Sequence, residues 1–240
     1  ELAPTSFITF STTDLISFSA NAGGAWSTAT GDTTGNWTKV KAARGTNYML
    51  ALQGGTETTI ASLSGSNGQS WSYTTLANGA NWIDVAFKDN QWIAISSGSA
   101  TETTISTNQG GSWSAGTTIS GQNKLIEYGN GIFVILPESG NTALTSTDGT
   151  TWTTRTLPVT SNWQDMKYAN GRFVAVGNSD SKIIFSLDGI TWEEAFINIT
   201  NLQDSTTGLW NNLAYTQGVW LCSNSADNTN KLVYITSPSY

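Results

Sequence analysis

The stretch that decides the fold is residues 163–192, which read WQDMKYANGRFVAVGNSDSKIIFSLDGITW. Trp163 opens a short run that ends at Asn170-Gly171, and both of these residue types adopt the positive φ that tight hairpin turns require. The apolar run 173–176 follows, a polar loop leads to the run 182–186, and an Asp-Gly turn ends at Trp192. Short runs joined by such turns predict antiparallel β-strands.

The same pattern recurs along the chain. The tryptophans that close the second turn follow one another at intervals of 45, 42, 39 and 40 residues, at Trp26, Trp71, Trp113, Trp152 and Trp192. The tryptophans that open the repeats are Trp37, Trp82, Trp163 and Trp210, and Asn123 takes this place in the remaining repeat. Four short strands in about 40 residues are typical of a β-propeller blade.

The predicted fold is all-β: a single β-propeller domain of four-stranded antiparallel blades over residues 1–240. A partial blade without a first strand covers about 1–35, and a partial blade without a fourth strand covers 209–240. Four whole repeats lie between them, at about 36–80, 81–122, 123–162 and 163–208. Six blades are preferred, since merging the partial segments leaves two strands surplus; five remain open if those segments form one closing blade. The first and last segments are expected to lie side by side and close the ring.

The composition excludes several classes of protein. Charged residues make up only 11% of the chain, against ~25% in typical soluble domains, so the surface is expected to be built from Thr, Ser, Asn and Gly. The net charge of −7 leaves no basic surface for nucleic acid. With no His and one cysteine, Cys222, no metal site, cofactor or internal disulfide is expected. No apolar run approaches the ~20 residues of a membrane-spanning helix.

The turns at 146–152 and 186–192 resemble the Asp-box, or BNR repeat, of sialidase-type propellers. They read Ser-Thr-Asp-Gly-Thr-Thr-Trp and Ser-Leu-Asp-Gly-Ile-Thr-Trp. The longer pattern of residues 163–192 is similar to propeller repeats common in phage tail proteins and other surface proteins. The resemblance implies a propeller over nearly the whole chain and leaves the activity open, because propellers host unrelated functions.

The residues of these turns are expected to stabilise the fold. The aspartates can accept hydrogen bonds from amides of their own turn, the glycines permit the turn backbone, and the tryptophans pack beneath it. Asn108 replaces Asp in another copy, which argues against a role that needs formal charge. The predicted structural residues are Asp148, Gly149, Trp152, Asp188, Gly189 and Trp192.

Sialidase activity is the best-known activity of this family, and the sequence argues against it. The resemblance implies three arginines that clamp a carboxylate, a tyrosine nucleophile paired with Glu, and an Asp acid/base. The chain has three arginines, Arg44, Arg155 and Arg172, whose places in the repeats are not expected to converge. Glu193 and Glu194 are adjacent on an outer strand, so their side chains point to opposite faces. We therefore expect that the chain has no catalytic residues and is not an enzyme. A glycosidase of sialidase type is kept as a second alternative function.

A surface rich in Trp, Thr, Asn and Ser suits a module that binds a glycan or a receptor. The candidate ligand-binding residues stand at the start of the innermost strands, near one mouth of the central channel, and are Trp37, Trp82, Trp163 and Trp210. If these side chains instead pack between blades, the chain is a purely architectural component without a glycan ligand.

The function predicted from the sequence is therefore a non-enzymatic, extracellular or virion-associated module of phage tail or fibre type. Its expected partners are a surface glycan, a receptor or neighbouring proteins of the assembly. An assembly factor resembling the propeller that helps to build photosystem II is a further alternative, against which the near absence of an arginine patch argues.

Overall fold

In a computed structural model of the chain, the turns and the strand pairing follow the repeat pattern of the sequence. The structure describes residues 7–9, 17–19, 27–28, 37–43, 48–53, 59–64, 71–77, 79–98, 100–179, 182–195, 210–224 and 231–236. Trp26, Arg44 and most of the predicted partial blade at 1–35 lie outside these residues. All elements of the described part are β-strands, and their pairings are antiparallel. The predicted all-β class is confirmed. Within the described ranges, no helix has the length and apolarity to span a membrane.

The strands belong to two compact units, residues 1–120 and 121–240. The strands of the first unit are β1 (Phe7–Thr9), β2 (Ser17–Ser19), β3 (Ser27–Thr28), β4 (Trp37–Ala42), β5 (Tyr48–Gln53), β6 (Thr59–Ser64), β7 (Trp71–Thr75), β8 (Trp82–Lys88), β9 (Gln91–Ser96), β10 (Ala100–Ser106) and β11 (Ser114–Ser120). They form a three-stranded sheet, β1-β2-β3, and two four-stranded sheets, β4-β5-β6-β7 and β8-β9-β10-β11.

The second unit continues the same up-and-down order. Its strands are β12 (Asn123–Gly129), β13 (Ile132–Pro137), β14 (Ser139–Ser146), β15 (Thr153–Ala169), β16 (Arg172–Gly177), β17 (Ile183–Ser186), β18 (Glu193–Glu194), β19 (Trp210–Thr216), β20 (Val219–Asn224) and β21 (Lys231–Thr236). They form a seven-stranded sheet from β12 to β18 in chain order and a three-stranded sheet, β19-β20-β21. The single-domain organisation, the choice of six blades over five and the adjacency of the end segments stay predictions.

Strand β15 differs from the expectation of separate strands in adjacent repeats. Its 17 residues pair with β14 at one end, where Thr153 faces Thr145, and with β16 at the other, where Trp163 faces Gly177. One continuous strand is therefore the last strand of one repeat and the first of the next. The predicted boundary between residues 162 and 163 lies inside it.

The hairpin turns have the backbone that the sequence predicts. Between β12 and β13, Asn130 and Gly131 have φ of 47° and 83°, and between β15 and β16, Asn170 and Gly171 have φ of 50° and 74°. Positive φ at both central residues matches the twist of the flanking strands. These short connections fix which strands are neighbours.

The described first strands of the repeats share one irregularity next to their opening residue. The register shifts between Trp37 and Lys39, Trp82 and Asp84, Asn123 and Leu125, Trp163 and Asp165, and Trp210 and Asn212. An extra residue at such a point bends the strand and redirects a side chain. The bulge therefore sets the direction of the side chain that lies two residues after the opening residue, such as Asp84 in β8 and Asp165 in β15.

The core lies between the second strands of successive repeats. In the first unit Leu50 and Leu52 of β5 cluster with Trp92 and Ala94 of β9. In the second unit the apolar side chains of β13 cluster in the same way with those of β16. Face-to-face packing of successive small sheets is the packing of propeller blades.

Candidate functional site

The four tryptophans interpreted from the sequence as ligand-binding residues are buried. The exposed fractions of Trp37, Trp82, Trp163 and Trp210 are 3%, 0%, 0% and 2%. Each side chain belongs to an apolar core cluster, so its indole face is not open to a ligand. The interpretation as a repeated stacking site is corrected: a Trp gains more from burying its large apolar area between strands than from facing water.

The best-defined polar feature of the second unit is the turn between β17 and β18. The Ser186 hydroxyl donates to Asp188 Oδ1 at 3.0 Å and accepts from the Gly189 amide at 2.8 Å. Asp188 Oδ1 also accepts from the amides of Ile190 and Thr191, both at 2.8 Å. A single carboxylate oxygen thus holds the turn together.

Two further turns are built in the same way. After β14, Asp148 Oδ1 accepts from the Ser146 hydroxyl at 2.9 Å and from the amides two and three residues further on at 2.7 and 2.8 Å. After β10, Asn108 Oδ1 accepts from the Ser106 hydroxyl and the Ser112 amide, both at 2.9 Å. A neutral amide oxygen therefore makes the same kind of bonds as the carboxylate.

The tryptophans after these turns differ in their bonding. Trp192 Nε1 donates to the Gly189 carbonyl at 3.1 Å, and Trp113 Nε1 donates to the Gly110 carbonyl at 3.2 Å. Trp152 Nε1 is buried and has no acceptor in the described part of the chain. The three turns thus share one backbone arrangement but differ in whether the indole N–H of the following tryptophan makes a hydrogen bond.

The turn hydrogen bonds change the acidity of both aspartates. The amides of residues 151 and 150, and then the Ser146 hydroxyl, hold the pKa of Asp148 well below its usual range. Burial acts to raise the pKa of Asp188, but the amides of Thr191 and Ile190 and the Ser186 hydroxyl outweigh it, so this pKa is lowered as well. Both side chains remain carboxylates at neutral pH.

Replacing Asp148 by asparagine is expected to reduce acid sensitivity. Because the pKa of Asp148 is lowered from its ordinary value of 3.8, its contribution to stability is complete above that value and is lost as the pH falls towards the pKa of the folded state. The asparagine side chain would keep the acceptor oxygen, as Asn108 does, without a proton to gain. Urea unfolding measured between about pH 7 and pH 2.5 should show a smaller loss for Asp148→Asn than for the parent. Parallel curves for the two proteins would contradict the assignment.

The turn after β17 is also fixed to the preceding repeat. Asn130 Nδ2 donates to the Leu187 carbonyl at 3.1 Å. Gly189 has φ of 75°, and a Cβ there would lie 2.9 Å from the Cγ2 atoms of Ile132 and Val134. The turn therefore rests directly on β13, and glycine is needed for both its backbone and its close approach.

A small cavity lies beside this turn. Its volume is about 250 Å³, and its lining residues are Arg172, Phe185, Ser186, Leu187, Asp188, Thr191 and Glu193. The Arg172 Nε is buried and has no hydrogen-bond partner within the described ranges. Of the large apolar side chains that the structure describes, Leu187 and Ile190 are the exposed ones, at 59% and 39%.

Two buried aspartates were missed by the sequence reasoning. Asp165 Oδ1 accepts from the Met166 amide at 2.9 Å, and its Oδ2 accepts from the Leu213 amide of the next repeat at 2.8 Å. Lys167 Nζ lies 3.3 Å from the same Oδ2. The carboxylate therefore joins the first strands of two repeats.

Asp84 occupies the same place in β8. Its Oδ1 accepts from the Val85 amide at 2.9 Å and lies 3.6 and 3.4 Å from the Nζ atoms of Lys39 and Lys41 in β4. The signal that could have found both aspartates is Trp-x-Asp, which opens residues 82–84 and 163–165. Their contacts are structural.

The remaining charged candidates are dispersed. Arg155 lies on β15, and its Nε donates to Thr145 Oγ1 of β14 at 3.1 Å. Arg172 begins β16, and Glu194 pairs with Lys182 at 2.7 Å. Among the residues that the structure describes, no group of three or more His, Cys, Asp or Glu side chains is placed to hold a metal ion.

Comparison with solved structures identifies the fold as a β-propeller. An ancestral GH74 enzyme is similar to the chain at 14% identity and a TM-score of 0.64, over 98% of this chain and 38% of that one. YCF48 from Cyanidioschyzon merolae is similar at 14% identity and a TM-score of 0.58, over 96% and 84%.

YCF48 solved bound to a D1 peptide is similar at 19% identity and a TM-score of 0.55, over 78% of this chain and 61% of that chain. The chain thus spans less than two thirds of that protein's length. No protein-family model and no curated protein sequence matches the chain. At these identities the likeness shows the fold, and the neighbours include enzymes and a peptide-bound protein.

Proposed function

We propose that the chain is a non-enzymatic module of an extracellular or virion-borne assembly, of phage tail or fibre type, which contacts a protein neighbour through loops on one propeller face. In this proposal the Ser-x-Asp-Gly turns are Asp-boxes that hold the loops in place. The observation that carries it is the distribution of apolar side chains: the indoles that open the repeats are buried, whereas Leu187 and Ile190 are exposed on a fixed turn.

Protein contact is favoured over glycan contact by the same distribution. A glycan module that binds by stacking needs aromatic faces open to a sugar ring, and the indoles proposed for that task are in the core. Exposed aliphatic side chains on a rigid loop suit a protein surface, because burying them on binding needs little ordering of the loop. YCF48, a propeller of similar structure, has been solved with a bound peptide, so the fold can bind a protein partner.

The absence of an enzyme activity is also part of the proposal. Asp148 and Asp188 have lowered pKa values, so neither carries a proton to give at neutral pH. Burial, followed by the charge of Asp165, raises the pKa of Cys222 to about 12, so this thiol is not a nucleophile at neutral pH. These groups support a structural role in the turns and core.

The purified chain is expected to release no product from glycosides. Sialosides, other oligosaccharides and aryl glycosides would be incubated with the protein, and reducing ends and the released phenol would be measured against a no-enzyme control. Turnover above that control, lost on substitution of any one carboxylate, would overturn the non-enzymatic proposal.

Location tests the rest of the proposal. Immunogold labelling of intact cells and of the particles they release should place the chain on an outer surface or on a tail structure. Label confined to the cell interior would exclude a surface assembly. Cross-linking of the labelled particle with a short lysine- or carboxylate-reactive reagent, followed by mass spectrometry, would identify the protein neighbour and the loops that touch it.

A further inference from the structure

The residues that line the cavity beside the turn after β17 differ from the residues at the equivalent positions of two other repeats. Strand pairing places Ser146 opposite Phe133, Ser186 opposite Phe173 and Ser106 opposite Trp92, so the positions can be compared one by one. The Arg172 position holds Ile132 and Gln91 in the two preceding repeats.

The other cavity positions differ in the same way. Thr147 and Thr107 stand where this repeat has Leu187, and Thr153 and Ser114 stand where it has Glu193. The serine and the Asp or Asn that hold the turn are present in all three copies. The fold therefore needs the shared residues, and it does not need the guanidinium, the exposed leucine or the glutamate.

Arg172 has hydrogen-bonding capacity that the described residues of its own chain do not use. Its Nε is covered and lacks an acceptor among the residues that the structure describes, although the side chain lines the cavity and is partly exposed. A guanidinium with an unused donor is stabilised when a carboxylate binds it in the two-pronged geometry. Asp188 Oδ1 is used by the turn, and among the described residues no ion pair joins Arg172 to Asp188 or to Glu193, the two carboxylates that line the cavity.

Leu187 offers an apolar contact that is already in position. Its carbonyl accepts from Asn130, and the residues on either side of it are bonded to each other at 3.0 Å. The side chain nevertheless stays 59% exposed. Binding an apolar group against it therefore loses little loop entropy.

The geometry points to a docking site for an extended segment of a partner protein, with an apolar side chain against Leu187 and an acidic side chain two residues away paired with Arg172. Residues i and i+2 of an extended chain lie on one face, so one segment can reach both. A volume of about 250 Å³ is below the roughly 300–1,000 Å³ of small-molecule sites, which favours an inserted side chain over an enclosed ligand. The inference rests on the proposed function and names its partner chemistry.

The test uses the whole chain and two capped peptides, Ac-Gly-Leu-Gly-Asp-Gly-NH2 and its lysine counterpart Ac-Gly-Leu-Gly-Lys-Gly-NH2. With three arginines in the chain, the Arg172 Nε–H signal can be assigned by NMR from the Arg172→Gln variant. The aspartate peptide is expected to shift this signal and that of the Trp192 indole, with a Kd on the order of 1 mM. The lysine peptide should not.

Matched variants separate binding from folding. Arg172→Gln copies Gln91 and Leu187→Thr copies Thr147, so both should fold, as retained indole signals would verify. Each is expected to weaken the aspartate peptide about tenfold, whereas Thr147→Ser, at the equivalent place in the preceding repeat, should leave the affinity unchanged.

Three outcomes would overturn the inference: no saturable shift with the aspartate peptide, equal binding of the lysine peptide, or binding of methyl glycosides at the same signals in place of the peptide. Cross-links from the particle distinguish this failure from failure of the proposed function. A neighbour cross-linked through other loops would leave the protein-contact module in place and remove only this site.

Discussion

Trp163→Ala should lower the free energy of unfolding by about 3–5 kcal/mol, the range for removing a fully buried large aromatic side chain. The indole is fully buried in the cluster that joins β13 and β16, and its Nε1 donates to the Gly140 carbonyl at 3.0 Å. The substitution opens a cavity and removes a donor from a backbone carbonyl. Urea unfolding followed by far-UV circular dichroism would measure the loss.

Trp152→Ala is the matched control, because Trp152 is half-buried and its Nε1 has no acceptor in the described part of the chain. It should be clearly less destabilising than Trp163→Ala. A loss below about 1 kcal/mol for Trp163→Ala, no larger than an average substitution, would show that this indole is not part of the core. The ligand-binding interpretation would then return.

Asp165→Ala should cost on the order of 3 kcal/mol, because it leaves two buried amides without an acceptor, at about 1–3 kcal/mol each. Those amides are Met166 N–H in the same strand and Leu213 N–H in the first strand of the next repeat. Asp165→Asn should have an intermediate effect, since it keeps one acceptor oxygen and turns a donor towards one amide. The same urea titration applies.

Lys167→Ala is the control for charge. Lys167 Nζ lies 3.3 Å from Asp165 Oδ2, and its side chain is 41% exposed, so removing this partly screened ion pair should change stability by at most about 1 kcal/mol. If Asp165→Ala and Lys167→Ala have equal effects, the carboxylate acts through its ion pair and not through the amides of the two repeats.

The all-β fold could be predicted because its signals are local. Asn-Gly pairs dictate a backbone that only a tight hairpin supplies, as Asn170 and Gly171 do, and a tryptophan at a regular interval marks each sheet. The continuity of β15 could not be predicted, because whether the chain turns or runs on after residue 156 depends on pairing with Ser139 and Gly140 from the strand before it.

The site was harder to predict because exposure is decided by neighbours. Trp163 and Leu187 are both apolar residues in a repeat, and nothing in their own sequence context says that one lies in the core and the other in solvent. The indole is covered by the preceding repeat, whereas Leu187 is exposed on a turn whose backbone is fixed by a bond from Asn130 to the Leu187 carbonyl. Arg172 stands out only when its place is compared with Ile132 and Gln91.

The shared strand β15 is expected to make local unfolding in the second unit more cooperative. Blades linked by loops can open one at a time, each with its own exchange of amide protons. Here the backbone that closes one sheet is the backbone that begins the next, so peeling residues 153–156 from β14 pulls directly on the pairs that Trp163 makes with β16. The two blades are therefore expected to behave as one cooperative unit, and a load on the turn at Leu187 would be borne by seven strands together.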